Sequence, residues 1–333
     1  MRRLRLFPAV LVAASLVLAG CGGDEEPAGE DSPQEVAGGS TLDSTWPLTG
    51  LPVEGDDSAA QTYPVMVTKI DNTESSSPQV GLSKADMVVE ELVEGGVTRL
   101  AAFFYSDIPS TVGPVRSMRA SDVGIVSPVK AAVVTSGAAA QTIAKIQAAH
   151  IPFYGEGADG TYRDNSRPAP YNLFADLTKV PPANRKHAEE RPDDYLPWGD
   201  EKDLPKGKKA TTIAANFGNH TTNWKFAGGH YTNTNTNAGQ GDEFVADNVL
   251  VLRVNVGLAG YKDPAGFPVP ETHFEGKGDA VLFHNGEAVA ATWNKKDLQG
   301  PISLSTKKGE LTVPAGHTWI ELVPAKTGDV SFK

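Results

Sequence analysis

Residues 81–122 read GLSKADMVVEELVEGGVTRLAAFFYSDIPSTVGPVRSMRASD, and this stretch decides the fold. It contains two apolar runs, Met87–Val93 and Val97–Tyr105, which are rich in valine, leucine and phenylalanine and are joined by Glu94-Gly95-Gly96. Glycine accepts the positive φ that a tight turn between two strands requires. The pattern therefore predicts an antiparallel β-hairpin.

Four charged residues interrupt this hairpin. Glu90 and Glu91 lie in the first run, Glu94 lies in the turn, and Arg99 lies in the second run. Because side chains alternate between the two faces of a strand, we expect Glu90 and Glu94 to share one face and Glu91 to take the other. One interpretation is a solvated face with a cross-strand ion pair that contributes roughly 0.2–1 kcal/mol. The other is that the acids and Arg99 belong to a functional site.

Two arginines follow the hairpin. Arg116 and Arg119 lie three residues apart beside a Gly113-Pro114 turn, with Asp107 and Asp122 on either side. The planar guanidinium group donates two parallel hydrogen bonds to a carboxylate or a phosphate. The two arginines can therefore hold an anionic ligand or bind the neighbouring acids.

A strand followed by a helix is predicted next. Residues 131–135, AAVVT, form an apolar run typical of a buried parallel strand, Ser136-Gly137 provides a turn, and residues 138–150 are rich in alanine. Free backbone N–H groups at the start of a helix favour an anion. This pattern predicts a ligand site at Ser136 that Arg116 and Arg119 also reach. An ordinary turn that binds nothing is the alternative.

Residues 151–174 predict a loop that the prolines on both sides of Ala169 stiffen. Its notable polar residues are Arg163, Arg167 and Asn172. A stiff loop that carries arginines predicts one wall of a binding cleft. The alternative is a surface loop that ordinary side-chain to backbone hydrogen bonds hold in place.

Several separated motifs resemble the YerB-like family of bacterial lipoproteins, whose two domains have no known function. They are GLSKADMVVEELVEGGVTRL from residue 81, SDIPSTVGPVRSMR from residue 106, RPAPYNL from residue 167, GEAVAATWNK from residue 286 and AGHTWIELVP from residue 315. The resemblance runs from Leu48 to Val323 and implies a lipid-anchored envelope protein of unestablished activity. The family pattern commonly has histidine before Asn172, whereas this chain has Tyr171. Imidazole chemistry is therefore not implied at this position.

The start of the chain predicts export and lipid attachment. Residues 1–20 predict a lipoprotein signal peptide, because three arginines precede an apolar run that ends in small residues. The sequence Leu18-Ala19-Gly20-Cys21 resembles the bacterial lipobox, in which the cysteine receives diacylglycerol. We therefore predict that acylated Cys21 anchors the protein in the membrane, on the outer face of the cytoplasmic membrane. The alternative is an ordinary signal peptide with an incidental cysteine.

The rest of the chain predicts an α+β fold in successive segments. Residues 21–44 contain seven acidic and no basic residues and predict a disordered tether. Residues 45–180 predict a mixed α/β domain with the hairpin and one strand–helix unit, and residues 181–209 predict a linker rich in proline and charge. Residues 210–333 predict a mainly β domain, a small barrel or a sandwich, in which Asn285-Gly286 is the strongest hairpin signal.

Composition and missing motifs exclude several classes of protein. The formal net charge of −11 disfavours nucleic acid as a partner. Because Cys21 is the single cysteine, no intramolecular disulfide and no cysteine-based metal site can form. The sequence contains no Gly-x-Ser-x-Gly motif, no histidine pair at metal-binding spacing and no glycine-rich nucleotide motif. We therefore predict neither a metal nor a cofactor.

Three functional hypotheses stay open after these exclusions. The leading one is a binding module for a cell-wall component such as peptidoglycan, or for an envelope protein at the membrane. The second is a hydrolase of cell-wall glycan, in which Glu90, Glu94 and Asp107 supply the acid and the base. The third is a purely structural network of charges that holds the hairpin to the loops. The absence of a nucleophile motif makes the enzyme the less favoured reading.

Overall fold

The computed structural model describes residues 44–55, 57–184 and 189–333. Cys21, the predicted signal peptide and residues 21–43 of the predicted tether lie outside the described residues. In the described ranges, α1 spans Asp122–Val126, α2 spans Ala140–Ala148 and α3 spans Pro181–Asn184. None of these described helices has the length and apolar character that crossing a membrane requires.

Strands make up most of the ordered structure. In the first half they are β1 Met66–Asp71, β2 Met87–Leu92, β3 Thr98–Phe104, β4 Ala132–Val134, β5 Phe153–Tyr154, β6 Thr161–Arg163, β7 Leu173–Ala175, β8 Trp198–Gly199 and β9 Lys208–Lys209. In the second half they are β10 Thr212–Asn216, β11 Thr221–Ala227, β12 His230–Asn233, β13 Val245–Ala246, β14 Asn248–Lys262, β15 Pro268–His273, β16 Gly276–His284, β17 Glu287–Lys295, β18 Ser303–Thr306, β19 Gly309–Leu311, β20 Val313–Pro314, β21 Thr318–Pro324 and β22 Asp329–Phe332.

Two sheets organise the described residues. The larger one has 13 strands in the order β19-β18-β17-β16-β14-β21-β2-β3-β1-β4-β5, with β15 paired to β14 and β9 paired to β17. The smaller one has five strands in the order β13-β12-β11-β10-β22. Because β21 lies between β2 and β14, strands from both halves of the chain build the larger sheet.

The hairpin predicted from the sequence lies at the centre of the larger sheet. β2 and β3 pair antiparallel from Met87–Phe103 to Leu92–Thr98, and the turn between them spans Glu94–Gly96. Both Gly95 and Gly96 have a φ of 75°. The hairpin prediction is confirmed. The two glycines supply the positive φ that the turn between β2 and β3 requires.

The larger sheet is mixed, and its parallel strands share one direction. β1 is parallel to β4, and β21 is parallel to both β2 and β14. β1 and β2 are both antiparallel to β3, so they also run the same way. The carboxyl ends of β1, β2, β4 and β21 therefore meet at one side of the sheet, called the carboxyl edge below.

The described chain starts at the opposite side of the sheet. The carbonyl of Thr49 accepts a hydrogen bond of 2.7 Å from the N–H of Gly316, two residues before β21 begins. The ring of Trp46 packs edge-on against Tyr105, at the end of β3 that adjoins the start of β2. Residues 44–49 therefore lie at the edge opposite the carboxyl edge.

Alternation along the central strands gives the larger sheet two apolar faces. Val88 and Trp319 point toward the smaller sheet, where they pack with Trp224. Val89 and Phe103 point the other way, toward Tyr195 and the helices. Both faces are buried, as expected for a sheet that contains parallel strands.

The structure agrees with the predicted fold class at a coarse level. The described chain is mostly β with a mixed sheet and short helices. Tyr195 and Leu196, inside the predicted linker 181–209, are buried in the core. The division into a 45–180 and a 210–333 domain, and the barrel or sandwich for the second, stay predictions.

Candidate functional site

Three arginines lie together at the carboxyl edge of the sheet, and we call Arg99, Arg116 and Arg119 the arginine cluster. Arg99 is the second residue of β3, directly after the hairpin turn. Arg116 and Arg119 come from the segment between β3 and α1. The N–H of Arg116 donates to the carbonyl of Lys69 at 2.8 Å, which holds that segment against the end of β1.

Arg116 is the most exposed member of the cluster, with 22% of its side chain accessible. Its Nε lies 3.1 Å from Oδ2 of Asp71, the last residue of β1. Its guanidinium carbon lies 5.2 Å from the ring centroid of Tyr171, and its Nη1 donates to the carbonyl of Pro170 at 3.4 Å. Tyr171 therefore makes a cation–π contact with Arg116. This is the position at which the family that the motifs resemble commonly has histidine.

Arg119 forms a two-pronged ion pair with Glu94. Its Nε donates to Oε2 of Glu94 at 2.8 Å, and its Nη2 donates to Oε1. Burial raises the pKa of Glu94, but the hydrogen bond and charge of Arg119 outweigh burial, so that the pKa lies below its ordinary value. Glu94 is therefore held as a carboxylate that fixes the hairpin turn to Arg119.

Arg99 has no such partner. Its side chain is buried, its Nη1 donates to the carbonyl of Ser117 at 2.9 Å, and its Nε makes no hydrogen bond. Among the residues that the structure describes, no carboxylate lies within 4.0 Å of its guanidinium. Burial, together with the charge of Arg119, lowers the pKa of Arg99 to about 10.

Within 4.0 Å and among the described residues, the guanidinium groups of the cluster pair with two carboxylates, Arg116 with Asp71 and Arg119 with Glu94. Glu91 is the register partner of Arg99 across β2 and β3, but its carboxylate binds Lys69. A buried guanidinium with an unused donor is costly unless an anion or water satisfies it. Because the Nε of Arg99 is itself buried, Arg116 is the member of the cluster that offers donors to an acceptor from solvent.

The strand-to-helix turn that the sequence predicts borders this cluster. The N–H of Ser136 donates to the carbonyl of Arg116 at 3.1 Å, and its Oγ lies 3.2 Å from Oγ of Ser117. α2 begins at Ala140, and Ala139 before it offers no side-chain cap to the first N–H groups. Ser136 therefore extends the polar surface beside Arg116.

The predicted cleft loop contributes less than expected. Arg163 binds Glu156 through Nε at 2.6 Å, and its Nη1 donates to Oδ1 of Asn172 at 2.6 Å. Nη2 of Arg167 donates to the carbonyl of Pro78 at 2.8 Å, and its guanidinium lies over the ring of Phe174. These three predicted site residues have their own partners, and the loop meets the arginine cluster through Pro170 and Tyr171 instead.

Glu90 lies away from the cluster, which corrects the expectation that it shares a face with Glu94. Its side chain is fully buried toward the smaller sheet, where it accepts hydrogen bonds from Oγ1 of Thr222 at 2.9 Å and Nε1 of Trp319 at 3.2 Å. The strand ends at Leu92, so the two-residue alternation no longer applies at Glu94. The turn instead directs Glu94 to Arg119.

The structure also brings together acids and a lysine that sequence reasoning missed. Nζ of Lys69 lies 2.8 Å from Oε1 of Glu91 and 2.7 Å from Oδ1 of Asp122, and all three side chains are fully buried. Burial raises the pKa of Asp122, Lys69 lowers it and Glu91 raises it again, with a net rise. The available signal was Lys69 itself, a lysine within the apolar run of Val65–Ile70.

No metal centre is evident in the described ranges. Across residues 44–55, 57–184 and 189–333, no group of three or more histidine, cysteine, aspartate or glutamate side chains is arranged to hold a metal ion.

Two family models match most of the chain. The N-terminal domain of a protein family of unknown function, DUF3048, matches residues 48–190, and its C-terminal domain matches residues 211–320. The chain therefore belongs to the DUF3048 family.

Two individual comparisons agree with the motif resemblance. A Bacillus subtilis (strain 168) protein named "Putative lipoprotein YerB" is 27% identical over 298 residues, which cover 84% of this chain and 86% of that relative. The crystal structure of YerB protein from Bacillus subtilis matches the fold with a TM-score of 0.71 at 22% identity, over 86% of this chain and 99% of that chain. The resemblance predicted from the motifs is confirmed, and the structural match supports the fold alone.

Proposed function

We propose that this protein is a lipid-anchored extracytoplasmic binding module that takes an anionic group of a cell-wall component or an envelope partner at the arginine cluster. The observation that carries the proposal is the accessible guanidinium of Arg116, which lies beside the buried Arg99, a residue with no carboxylate within 4.0 Å in the described ranges. Arg116 and Ser136 supply the solvent-facing part of the same surface. A carboxylate or a phosphate fits these donors.

The location of the site supports a partner away from the anchoring membrane. Lipid attachment at Cys21 rests on the lipobox-like motif and on the lipoprotein named among its relatives. The described chain starts at the edge of the sheet opposite the arginine cluster. A disordered tether between Cys21 and the fold would leave the cluster free to reach the wall, where peptidoglycan offers carboxylates.

A structural role for the charges is the second candidate, and the buried triad favours it. Lys69 pairs with both Glu91 and Asp122 without contact with solvent, and Ser121 and the N–H of Arg119 donate to the remaining carboxylate oxygens. A hydrolase is less well supported, because Glu90 is sealed in the core and Glu94 is committed to Arg119 with a lowered pKa. A general acid requires the opposite shift.

The experiment is a binding assay of the full chain with purified insoluble peptidoglycan, read by co-sedimentation and by analysis of soluble fragments. Arg116→Ala should weaken binding by about tenfold, the cost of losing one charge-assisted contact. Because the substitution also leaves the buried Asp71 without its partner, binding is measured at a temperature at which circular dichroism shows the variant to be folded. Arg163→Ala is the matched control, because Arg163 is paired elsewhere, with Glu156.

Two outcomes would contradict the binding proposal. Equal binding by the parent chain and Arg116→Ala would remove the cluster as the site, and a large drop in melting temperature without a change in binding would favour the structural role. Release of soluble glycan fragments by the parent chain would favour the hydrolase.

A further inference from the structure

Two glutamates from adjacent strands lie side by side in the core between the two sheets. Glu90 on β2 and Glu321 on β21 are direct register partners across a parallel pair. Side chains at matched positions of neighbouring strands point to the same face. Both residues have no accessible surface.

Two tryptophans donate hydrogen bonds to the pair of glutamates. Nε1 of Trp224 donates to Oε1 of Glu321 at 2.8 Å, and Nε1 of Trp319 donates to Oε2 of Glu90 at 3.2 Å. In the part of the chain that the structure describes, Oε2 of Glu321 is buried and accepts no hydrogen bond from a donor group. A carboxyl proton on that oxygen would give it a donor role and remove one of two adjacent negative charges.

The surroundings shift the pKa values of the two glutamates in opposite directions. Burial and then the charge of Glu90 raise the pKa of Glu321 well above its ordinary value. Burial also raises the pKa of Glu90, but the hydrogen bond and charge of His220 outweigh it and lower the pKa. The pair is therefore one carboxylate and one neutral acid, which titrate as a unit.

His220 is the titratable group that faces the pair from the smaller sheet. Its Nε2 lies 3.3 Å from Oε1 of Glu90, and 21% of its side chain is accessible to solvent. Among the described residues, the other side chains that donate hydrogen bonds to the pair are uncharged, and they are Asn72, Thr98, Thr222, Trp224 and Trp319. His220 therefore links the buried acids to the solvent.

The pair lies where the two sheets meet. Glu90 and Glu321 belong to the larger sheet, whereas Thr222 and Trp224 belong to β11 of the smaller one. The hydrogen bonds of Thr222 to Glu90 and of Trp224 to Glu321 cross the junction. The charge state of the pair thus acts on the contact between the sheets.

We propose that Glu90 and Glu321 form a proton-operated latch, which holds the smaller sheet against the larger one while Glu321 is protonated and loosens that contact when the proton leaves. The latch is independent of anion binding at the arginine cluster. It gives the fold a built-in response to alkaline conditions.

The direction of the response follows from the two raised pKa values. Since the pKa of Glu321 is higher in the folded chain than in the unfolded chain, its contribution is full below the unfolded value and is lost as pH rises through the folded value. Burial lowers the pKa of His220, but its hydrogen bond with Glu90 outweighs burial and gives a net rise. Deprotonation of His220 therefore acts in the same direction.

The test uses the full chain and its tryptophans as reporters. Hydrogen exchange at the Trp224 indole and along the β11 backbone, followed from about pH 6 to about pH 9 and corrected for intrinsic exchange, should show at least a tenfold loss of protection. Glu321→Gln, which keeps the shape and stays neutral, should remove most of this pH dependence. Glu310→Gln on the exposed strand β19 is the matched control and should leave it unchanged.

Two results would overturn the latch. One is an unchanged pH profile in Glu321→Gln. The other needs no variant: infrared spectra of the parent chain at neutral pH should contain the carbonyl band of a buried neutral carboxylic acid, and absence of that band would show that no proton is stored there.

Discussion

Lys69 is the residue on which the buried charges of the central strands depend. It lies in β1 with no accessible side chain and contacts Glu91 and Asp122 at ion-pair distance. Removing one partner from a buried ion pair leaves an uncompensated charge, which costs more than the pair itself contributes. The effect of losing Lys69 is therefore much larger than that of losing a surface lysine.

We expect Lys69→Met to lower the free energy of unfolding by about 3–5 kcal/mol at neutral pH, measured by chemical denaturation. Lys84→Met is the control, because Lys84 pairs with Asp107 but is more than half exposed, and such surface pairs contribute about 0–1 kcal/mol. Similar losses in the two variants would show that the buried triad is not charged as described.

The contacts of Asp247 with two histidines predict a second way in which the stability of the fold depends on pH. It lies 2.8 Å from Nδ1 of His230 and 3.6 Å from Nδ1 of His317. Burial raises the pKa of Asp247, but its bonds to His317 outweigh burial and lower it, while the hydrogen bond to Asp247 raises the pKa of His317. The Asp247 contribution is lost as pH falls through its lowered folded pKa, and the His317 contribution is lost as pH rises through its raised folded pKa.

Asp247→Asn should therefore lower the melting temperature more at about pH 6 than at about pH 9, since the ion pair exists only in the lower range. Thermal unfolding of the parent chain and the variant at both pH values checks this. Asp329→Asn, at a largely exposed position, should show no such difference. A loss for Asp247→Asn that is equal at both pH values would contradict the ion pair.

At the scale of the element, the hairpin turn offers a matched pair of glycines. Gly95 and Gly96 share a φ of 75°, but they differ in their surroundings. A Cβ on Gly95 would meet nothing within 4 Å, whereas a Cβ on Gly96 would lie 2.4 Å from Nδ2 of Asn219. The difference between the two alanine variants thus isolates the contact of the turn with the loop before β11.

Gly95→Ala should cost about 1 kcal/mol of unfolding free energy, the backbone strain of a left-handed alanine. Gly96→Ala should cost more than Gly95→Ala, because Asn219 must move in addition. Chemical denaturation of both variants gives the difference directly. If the two costs are equal, the turn does not contact Asn219 in solution.

The same hairpin shows what sequence can and cannot predict. The two apolar runs and the glycines between them are local signals, so the pairing of β2 with β3 followed from the sequence. The pairing of β2 with β21 joins residues such as Glu90 and Glu321, which are far apart in the chain, and no local pattern encodes it. The sequence therefore places Glu90 in a ligand site, whereas in the structure its neighbour is the buried Glu321.

The candidate site was predicted to a similar degree. Arg116, Arg119 and Ser136 follow from short-range motifs, because the turn and the helix start are sequence-local features, and their role in binding stays a prediction. The isolation of Arg99 could not be predicted, since it depends on Glu94 turning away to Arg119. Arg163 and Arg167 looked free in the sequence because their partners, Glu156 and the Pro78 carbonyl, are fixed only by the folded loops.

At the scale of the whole molecule, the position of β21 predicts that the two halves depend on each other. Without β21, β2 would become an open edge with buried apolar side chains on both faces. Such edges favour aggregation. The first half of the chain therefore lacks a strand that completes its core.

We expect residues 44–184 expressed alone to be insoluble or unfolded by circular dichroism and by the absence of a cooperative melt. Co-expression with residues 189–333 should restore a soluble complex that melts cooperatively. A cooperative melt of the first piece alone would instead support the predicted division into two independent domains.

The opposite placement of the chain start and the arginine cluster also bears on how the molecule responds to tension. If the cluster holds a wall component while the start of the chain is fixed to the membrane, the pull runs parallel to the central strands of the larger sheet. Interstrand hydrogen bonds lie across that direction. Such a pull makes the strands slide past one another, so many of these bonds must break at the same time. The parallel centre of the sheet would therefore resist a force between wall and membrane far better than a sheet whose bonds break one after another.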